Sequence, residues 1–153
     1  MRKDNIRDYA TEAFRFYAAC GRLTAAELEE KVRQEIYTKS KREFLHNGGP
    51  HLPSDATAYA LMQAEDAVAE MQAEFLDILA VERTLMQLDE AQRKAVEIVY
   101  FTKPDQKLEK GEISRRVHQA EMEIPAGEKT VYRWLAKARK VFARERGLRV
   151  YLK

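Results

Sequence analysis

The spacing of apolar positions along this chain is helical almost from end to end. Ile6, Tyr9, Ala10, Ala13, Phe14 and Tyr17 fall on one face of a helix running from about Asp4 to Cys20, where Gly21 supplies a stop. Thr24 with Glu27 three positions later is a capping-box signature, and Leu28, Val32, Ile36 and Tyr37 carry an apolar stripe to about Phe44. The link between these two helices is short, which predicts that they pair as an antiparallel hairpin over residues 1–46. Residues 46–54, HNGGPHLPS, are dense in turn formers and predict a linker over 47–54. Beyond it Ala60, Ala64, Ala67, Val68, Met71, Phe75, Ile78 and Leu79 form a continuous stripe. That stripe predicts one helix over 55–86, about 48 Å long at 1.5 Å per residue.

The pattern changes near Leu88. Asp89 reads as an N-cap with Gln92 reaching back from the third helical position, and the helix that follows buries Ala95, Val96, Ile98 and Val99, with Phe101 at its end. Thr102 to Gln106, including Pro104, ends it. A second helix begins around Lys110 with Ile113 and Val117 facing the core, and Ile124-Pro125-Ala126-Gly127 is a turn. The last helix, EKTVYRWLAKARKVFARERG from Glu128 to Gly147, is two-faced. Val131, Leu135, Ala138 and Phe142 recur at core spacing with Trp134 beside them, while Lys129, Arg133, Lys137, Lys140 and Arg144 form a cationic row. A support helix, a positioning helix, a turn and a cationic amphipathic helix are the plan of a helix-turn-helix, which predicts a DNA-binding domain over 87–153. The expected fold class is all-α: an N-terminal hairpin, a long acidic helix and a C-terminal helix-turn-helix domain.

Composition narrows the function classes. Of 153 residues, 45% are apolar and 34% charged, enough to bury a core, and only 6 are Gly and 4 Pro, which favours helices. The N-terminus lacks the apolar core of a signal peptide and no apolar run reaches membrane-spanning length, so the expected location is cytoplasmic, with no membrane partner. Cys20 is the single cysteine, which rules out a disulfide framework and reads as a small core residue. His46 and His51 share the turn-rich stretch with no Cys or acidic cluster to complete a metal site, and His118 stands apart from them. No Gly-rich phosphate loop and no nucleophile elbow occurs. The chain is therefore read as no enzyme, with no catalytic residue, no metal and no cofactor.

Charge is distributed unevenly. Residues 1–106 hold 14 Lys and Arg against 19 Asp and Glu, a balance of −5, whereas residues 107–153 hold 13 against 6, a balance of +7. From Asp55 to Glu82 there are seven acidic residues and no basic one. The basic end has the electrostatic footprint of a phosphate-binding module. The acidic helix fits a spacer, a rim that meets basic protein surfaces, or half of a dimer seam.

Leu85-x-x-Leu88-Asp89-x-x-Gln92-Arg93-x-Ala95-Val96, Glu112-Ile113-Ser114 and Thr130-Val131-Tyr132-Arg133-Trp134-Leu135-x-x-Ala138 resemble region 4 of sigma-70 family factors and the related phage transcriptional regulators of the ArpU and RinA kind. The resemblance spans about residues 82–146. It implies that Lys129, Thr130, Tyr132, Arg133 and Lys137 face DNA, that Val131, Leu135 and Ala138 pack inward, and that RNA polymerase is a candidate partner beside double-stranded DNA. One departure stands out: Ile113 and Val131 are 18 positions apart, several more than is usual in the family, so residues 118–128 hold either a longer positioning helix or an enlarged turn. No aromatic, basic promoter-melting segment is present, which favours a small regulator over a complete sigma factor.

The expected mechanism is binding without chemistry. Arg133 and Lys137, one turn apart, can reach guanine edges, Thr130 and Tyr132 can meet phosphate or a thymine methyl, and Arg115, Arg116, Lys140 and Arg144 can hold the backbone. Trp134 is expected in the core beside Val131. Two alternatives remain at this stage: a DNA-packaging protein like the phage terminase small subunits, and an adaptor that binds protein through the basic helix. A homodimer is compatible with each.

Overall fold

Asp4 opens the first helix by accepting the backbone N–H of Arg7 at 2.9 Å, and α1 runs Asn5–Ala19. Thr24 and Glu27 then form the reciprocal capping box expected of them, starting α2, Ala25–His46. The computed structural model describes residues 4–47 and 52–148. Residues 48–51 of the expected linker, His51 among them, lie outside that description, as do 149–153. Beyond the linker come α3, Pro53–Glu70, α4, Gln72–Met86, α5, Glu90–Val96, a π-helical turn, Glu97–Phe101, α6, Glu112–Glu123, and α7, Glu128–Arg146. The described residues contain no strand, and the fold class is all-α.

The single long helix expected over 55–86 is two helices. At Met71, with φ −98° and ψ 16°, the ladder is interrupted. The Val68 carbonyl takes the N–H of Met71 at 3.2 Å and the side-chain amide of Gln72 at 3.1 Å. A side chain inserted into the backbone ladder is a recognised cause of helix breaks, and it leaves no Gly or Pro signal in the sequence.

The chain divides into two compact units, Leu23–Leu76 and the combination of Met1–Arg22 with Asp77–Lys153. In the first, α2 packs on α3. Arg33 bonds Glu65 at 2.8 Å, the Phe44 and Tyr59 rings lie 5.2 Å apart, and Leu28, Ala56, Ala60, Ala64 and Val68 are buried. The hairpin expected between α1 and α2 is thus formed by α2 and α3.

In the second unit α1 packs on the π-helical turn and on α7. Phe14 is its anchor, fully buried, stacked on Tyr100 at 5.5 Å and 5.7 Å from Phe142. Tyr9 reaches Phe142 at 6.0 Å and Tyr17 reaches Phe101 at 5.5 Å. A domain boundary near residue 87 does not follow these contacts, because the aromatic face of α1 is the cover that α7 and the π-helical turn need. Their apolar side chains become core only with residues from the far end of the chain.

Candidate nucleic-acid interface

Helix α5 begins as its sequence predicts, with Asp89 accepting the Gln92 N–H at 2.8 Å and Gln92 accepting the Asp89 N–H at 3.1 Å. Ala95, Val96, Val99 and Tyr100 are buried along α5 and the π-helical turn, and both pack against α6 and, through α5, against α7. The 18-residue spacing between Ile113 and Val131 is taken up by helix: α6 continues to Glu123. Only four residues, 124–127, join it to α7. Ile124 is extended, with ψ 151°, and buried, and Gly127 at ψ 171° precedes the first turn of α7. At the other end Gly147, in the left-handed region at φ 78°, caps the helix, and the Leu148 N–H returns to the Ala143 carbonyl at 2.9 Å.

Val131, Leu135, Ala138 and Phe142 of α7 are buried as expected, and Val141 and Ala143 join them. Trp134 is half-buried at the margin of this face rather than within it. Lys129, Arg133, Lys137, Lys140 and Arg144 are all exposed, Tyr132 is exposed and Thr130 is half-buried. The structure therefore brings eight of the nine sequence-chosen residues to the surface, seven of them on one helix.

Arg116 is the exception. It is 6% exposed, and its guanidinium donates to the Val99 carbonyl at 2.8 Å and to Glu112 at 3.2 Å. It closes the end of the π-helical turn and cannot grip a phosphate. The signal was present in the sequence, since Arg116 lies three positions after Ile113 and four before Ala120, on the buried face of α6. Arg115, its neighbour, is exposed and paired with Glu112 at 2.8 Å.

Two cations of the row are held by neutral side chains that the sequence did not single out for this purpose. Lys137 donates to the Gln92 side-chain oxygen at 3.3 Å, so one glutamine both closes the cap of α5 and ties it to α7. Arg144 donates to Gln87 at 2.6 Å, and Gln87 in turn donates to Glu145 at 2.9 Å. Lys129, Arg133 and Lys140 carry the more open charge. The remaining cations of α7 point elsewhere: Arg139 donates to the Tyr100 hydroxyl at 2.8 Å and Arg146 to Asp77 at 2.7 Å. The Asp77 bond pushes the Arg146 pKa up, opposed by burial.

Arg15 makes the densest set of contacts near this surface. It is 8% exposed, and it donates to the carbonyls of Tyr100 at 3.2 Å, Thr102 at 3.5 Å, Lys103 at 2.9 Å and Gln106. Burial, then the nearby Arg116 charge, lower its pKa. Helices leave their last carbonyls unpaired, and a buried cation is well placed to collect them. Arg15 thereby fixes the 102–106 segment that leads into α6. Among the described residues no group of His, Cys, Asp and Glu side chains is arranged to hold a metal ion, and no helix is long and apolar enough to cross a membrane.

No family model matches this chain, and neither the curated proteins nor the solved structures give a match.

Proposed function

We propose that the unit containing α7 is a helix-turn-helix module that binds double-stranded DNA, with α5 and the π-helical turn as support, α6 as the positioning helix and α7 in the major groove. The observation that carries this reading is the division of α7 into a fully buried stripe and an open cationic one. Val131, Leu135, Ala138 and Phe142 are at most 1% exposed, while Lys129, Arg133 and Lys140 are exposed, one four-residue turn beyond α6. An apolar stripe locks the helix while its outer face stays free for base edges and phosphates.

In this reading Arg133 contacts guanine, a contact that discriminates by about 1–3 kcal/mol against a wrong base. Thr130 and Tyr132 meet phosphate or a thymine methyl, and Lys129, Lys140, Arg144 and Arg115 add salt-dependent affinity. Lys137 contacts DNA from the position Gln92 gives it. The resemblance of residues 82–146 to region 4 of sigma-70 factors and to phage regulators of the ArpU and RinA kind extends the proposal to a transcriptional regulator that works in the cytoplasm, binds beside RNA polymerase and catalyses no reaction.

Selection of bound duplexes from a random library over a salt series tests the reading, alongside the triple variant Lys129→Ala, Arg133→Ala, Lys137→Ala. An enriched motif that the folded variant loses is the expected result. Equal, unenriched binding by both proteins would overturn sequence reading, and absence of binding at moderate salt would overturn DNA as the partner.

A further inference from the structure

Among the cations on the outer side of α7 stands a residue with no polar side-chain group. Ala136 lies three positions after Arg133, four after Tyr132 and four before Lys140, spacings that make all three its neighbours on the helix surface. It is half-buried, whereas Leu135 and Ala138, close to it in sequence, are 1% and 0% exposed. A helix turns about 100° per residue, which sets Ala136 and Lys137 on opposite flanks of the row formed by Lys129, Arg133 and Lys140. Lys137 is on the flank tied to α5 through Gln92. Ala136 is on the other flank, next to Tyr132, whose side chain is exposed.

Size and chemistry decide what this position does in a DNA groove. The major groove is about 12 Å wide, and a helix with its side chains is about 10–12 Å across. That fit leaves little slack. A large side chain at position 136 would hold the helix off the bases, while a methyl group lets its neighbours Arg133 and Tyr132 reach them. Alanine has no side-chain donor or acceptor, and the apolar feature that the groove offers is the C5 methyl of thymine; guanine, cytosine and adenine are read there by their donors and acceptors. Along the helix axis Ala136 is about 4.5 Å from Arg133 at about 1.5 Å per residue, against about 3.4 Å per base pair. The two contacts therefore fall about one or two base pairs apart.

We infer that Ala136 is a specificity-determining residue of α7, reading a thymine methyl close to the guanine that Arg133 meets. The inference rests on the DNA binding proposed above and adds to it a base that no charged side chain selects. The test starts from the duplex that the full chain selects, with each of its thymines replaced in turn by uracil, which removes the methyl group alone. Affinity is read by fluorescence anisotropy at fixed salt for the wild type, Ala136→Gly and Ala136→Gln, each first shown to be folded by circular dichroism. At one thymine near the guanine column, uracil should weaken the wild type about fourfold, the value of one buried methyl group. Ala136→Gly should bind the thymine and uracil duplexes equally, both at the weaker level. Ala136→Gln keeps a good helix former at the position; in its own selection it should exchange that thymine for adenine, whose edge suits a glutamine amide, and retain the guanine. Equal binding of thymine and uracil duplexes by the wild type at every position would overturn the inference and leave DNA reading intact. So would undiminished discrimination by Ala136→Gly, or an unchanged motif for Ala136→Gln. A wild type that selects no motif would overturn both.

Discussion

The guanidinium of Arg15 donates to the carbonyl of Tyr100 at 3.2 Å, across 85 positions of sequence. This bond and its neighbours to Thr102, Lys103 and Gln106 join α1 to the end of the helix that supports the candidate interface. The contact fixes the segment 102–106, which leads toward α6 at Glu112.

Arg15→Ala leaves several part-buried carbonyls without a donor, and an unsatisfied buried polar group costs about 1–3 kcal/mol. The expected loss of unfolding free energy is at least that large, measured by urea denaturation. Arg15→Lys should recover only part of it, since an ammonium cannot span the same carbonyls as the planar fork of arginine. A neutral effect of Arg15→Ala would show that these bonds are replaced by water.

Removal of residues 1–22 uncovers Phe142, Tyr100 and Phe101, which α1 shields through Tyr9, Phe14 and Tyr17. Deleting a single buried Phe commonly costs about 3–5 kcal/mol. The truncated chain should therefore lose the cooperative unfolding of residues 77–148 in a thermal melt. If the truncated protein melts as the full chain does, α1 is dispensable to this unit.

Tyr9 donates its hydroxyl proton to Asp77 at 2.6 Å, and burial followed by that bond raises its pKa above the ordinary value of 10.0. A raised pKa means that the folded state holds the proton more tightly than the unfolded chain. The associated stability is complete below pH 10 and is lost as pH rises through the folded value. Tyr9→Phe should lower stability modestly at neutral pH and show a shallower decline than the wild type in the alkaline range. Parallel alkaline declines in the two proteins would remove Tyr9 from this role.

Arg115 and Arg116 are adjacent in sequence, one exposed and one buried, and under the proposed DNA binding they should behave differently. Arg116→Ala strips the Val99 carbonyl of a buried donor and should lower the melting temperature, yet leave the salt dependence of DNA binding unchanged under conditions where the variant is folded. Arg115→Ala should do the reverse, reducing the slope of log affinity against log salt by about one. Exchange of these two outcomes would place Arg116, rather than Arg115, on the phosphates.

Several elements could be read from sequence because their determinants are local. Thr24 with Glu27 and Asp89 with Gln92 are capping boxes in both readings, and Val131, Leu135, Ala138 and Phe142 are buried because one helix face repeats at a fixed spacing whatever it packs against. Exposure of Lys129, Arg133 and Lys140 follows from the same geometry. Gln92 is different: its cap was legible, while its bond to Lys137 needed α5 and α7 in contact. Arg116 is buried because its position between Ile113 and Ala120 puts it on the inner side of α6, which outweighs its charge.

The sequence by itself determined that the described chain is helical, where most of its helices begin and end, and which side of α7 is cationic, because hydrophobic period, caps and turn residues act over a few positions. Tertiary structure decided which helices are partners. Every amphipathic helix here carries an apolar stripe that several others could cover, so nothing local distinguishes α2 from α7 as the companion of α1. The choice rests on the aromatic fit of Phe14 against Tyr100 and Phe142, and on the carbonyls that Arg15 reaches. Both are properties of residues far apart in the chain, and only folding brings them within contact distance.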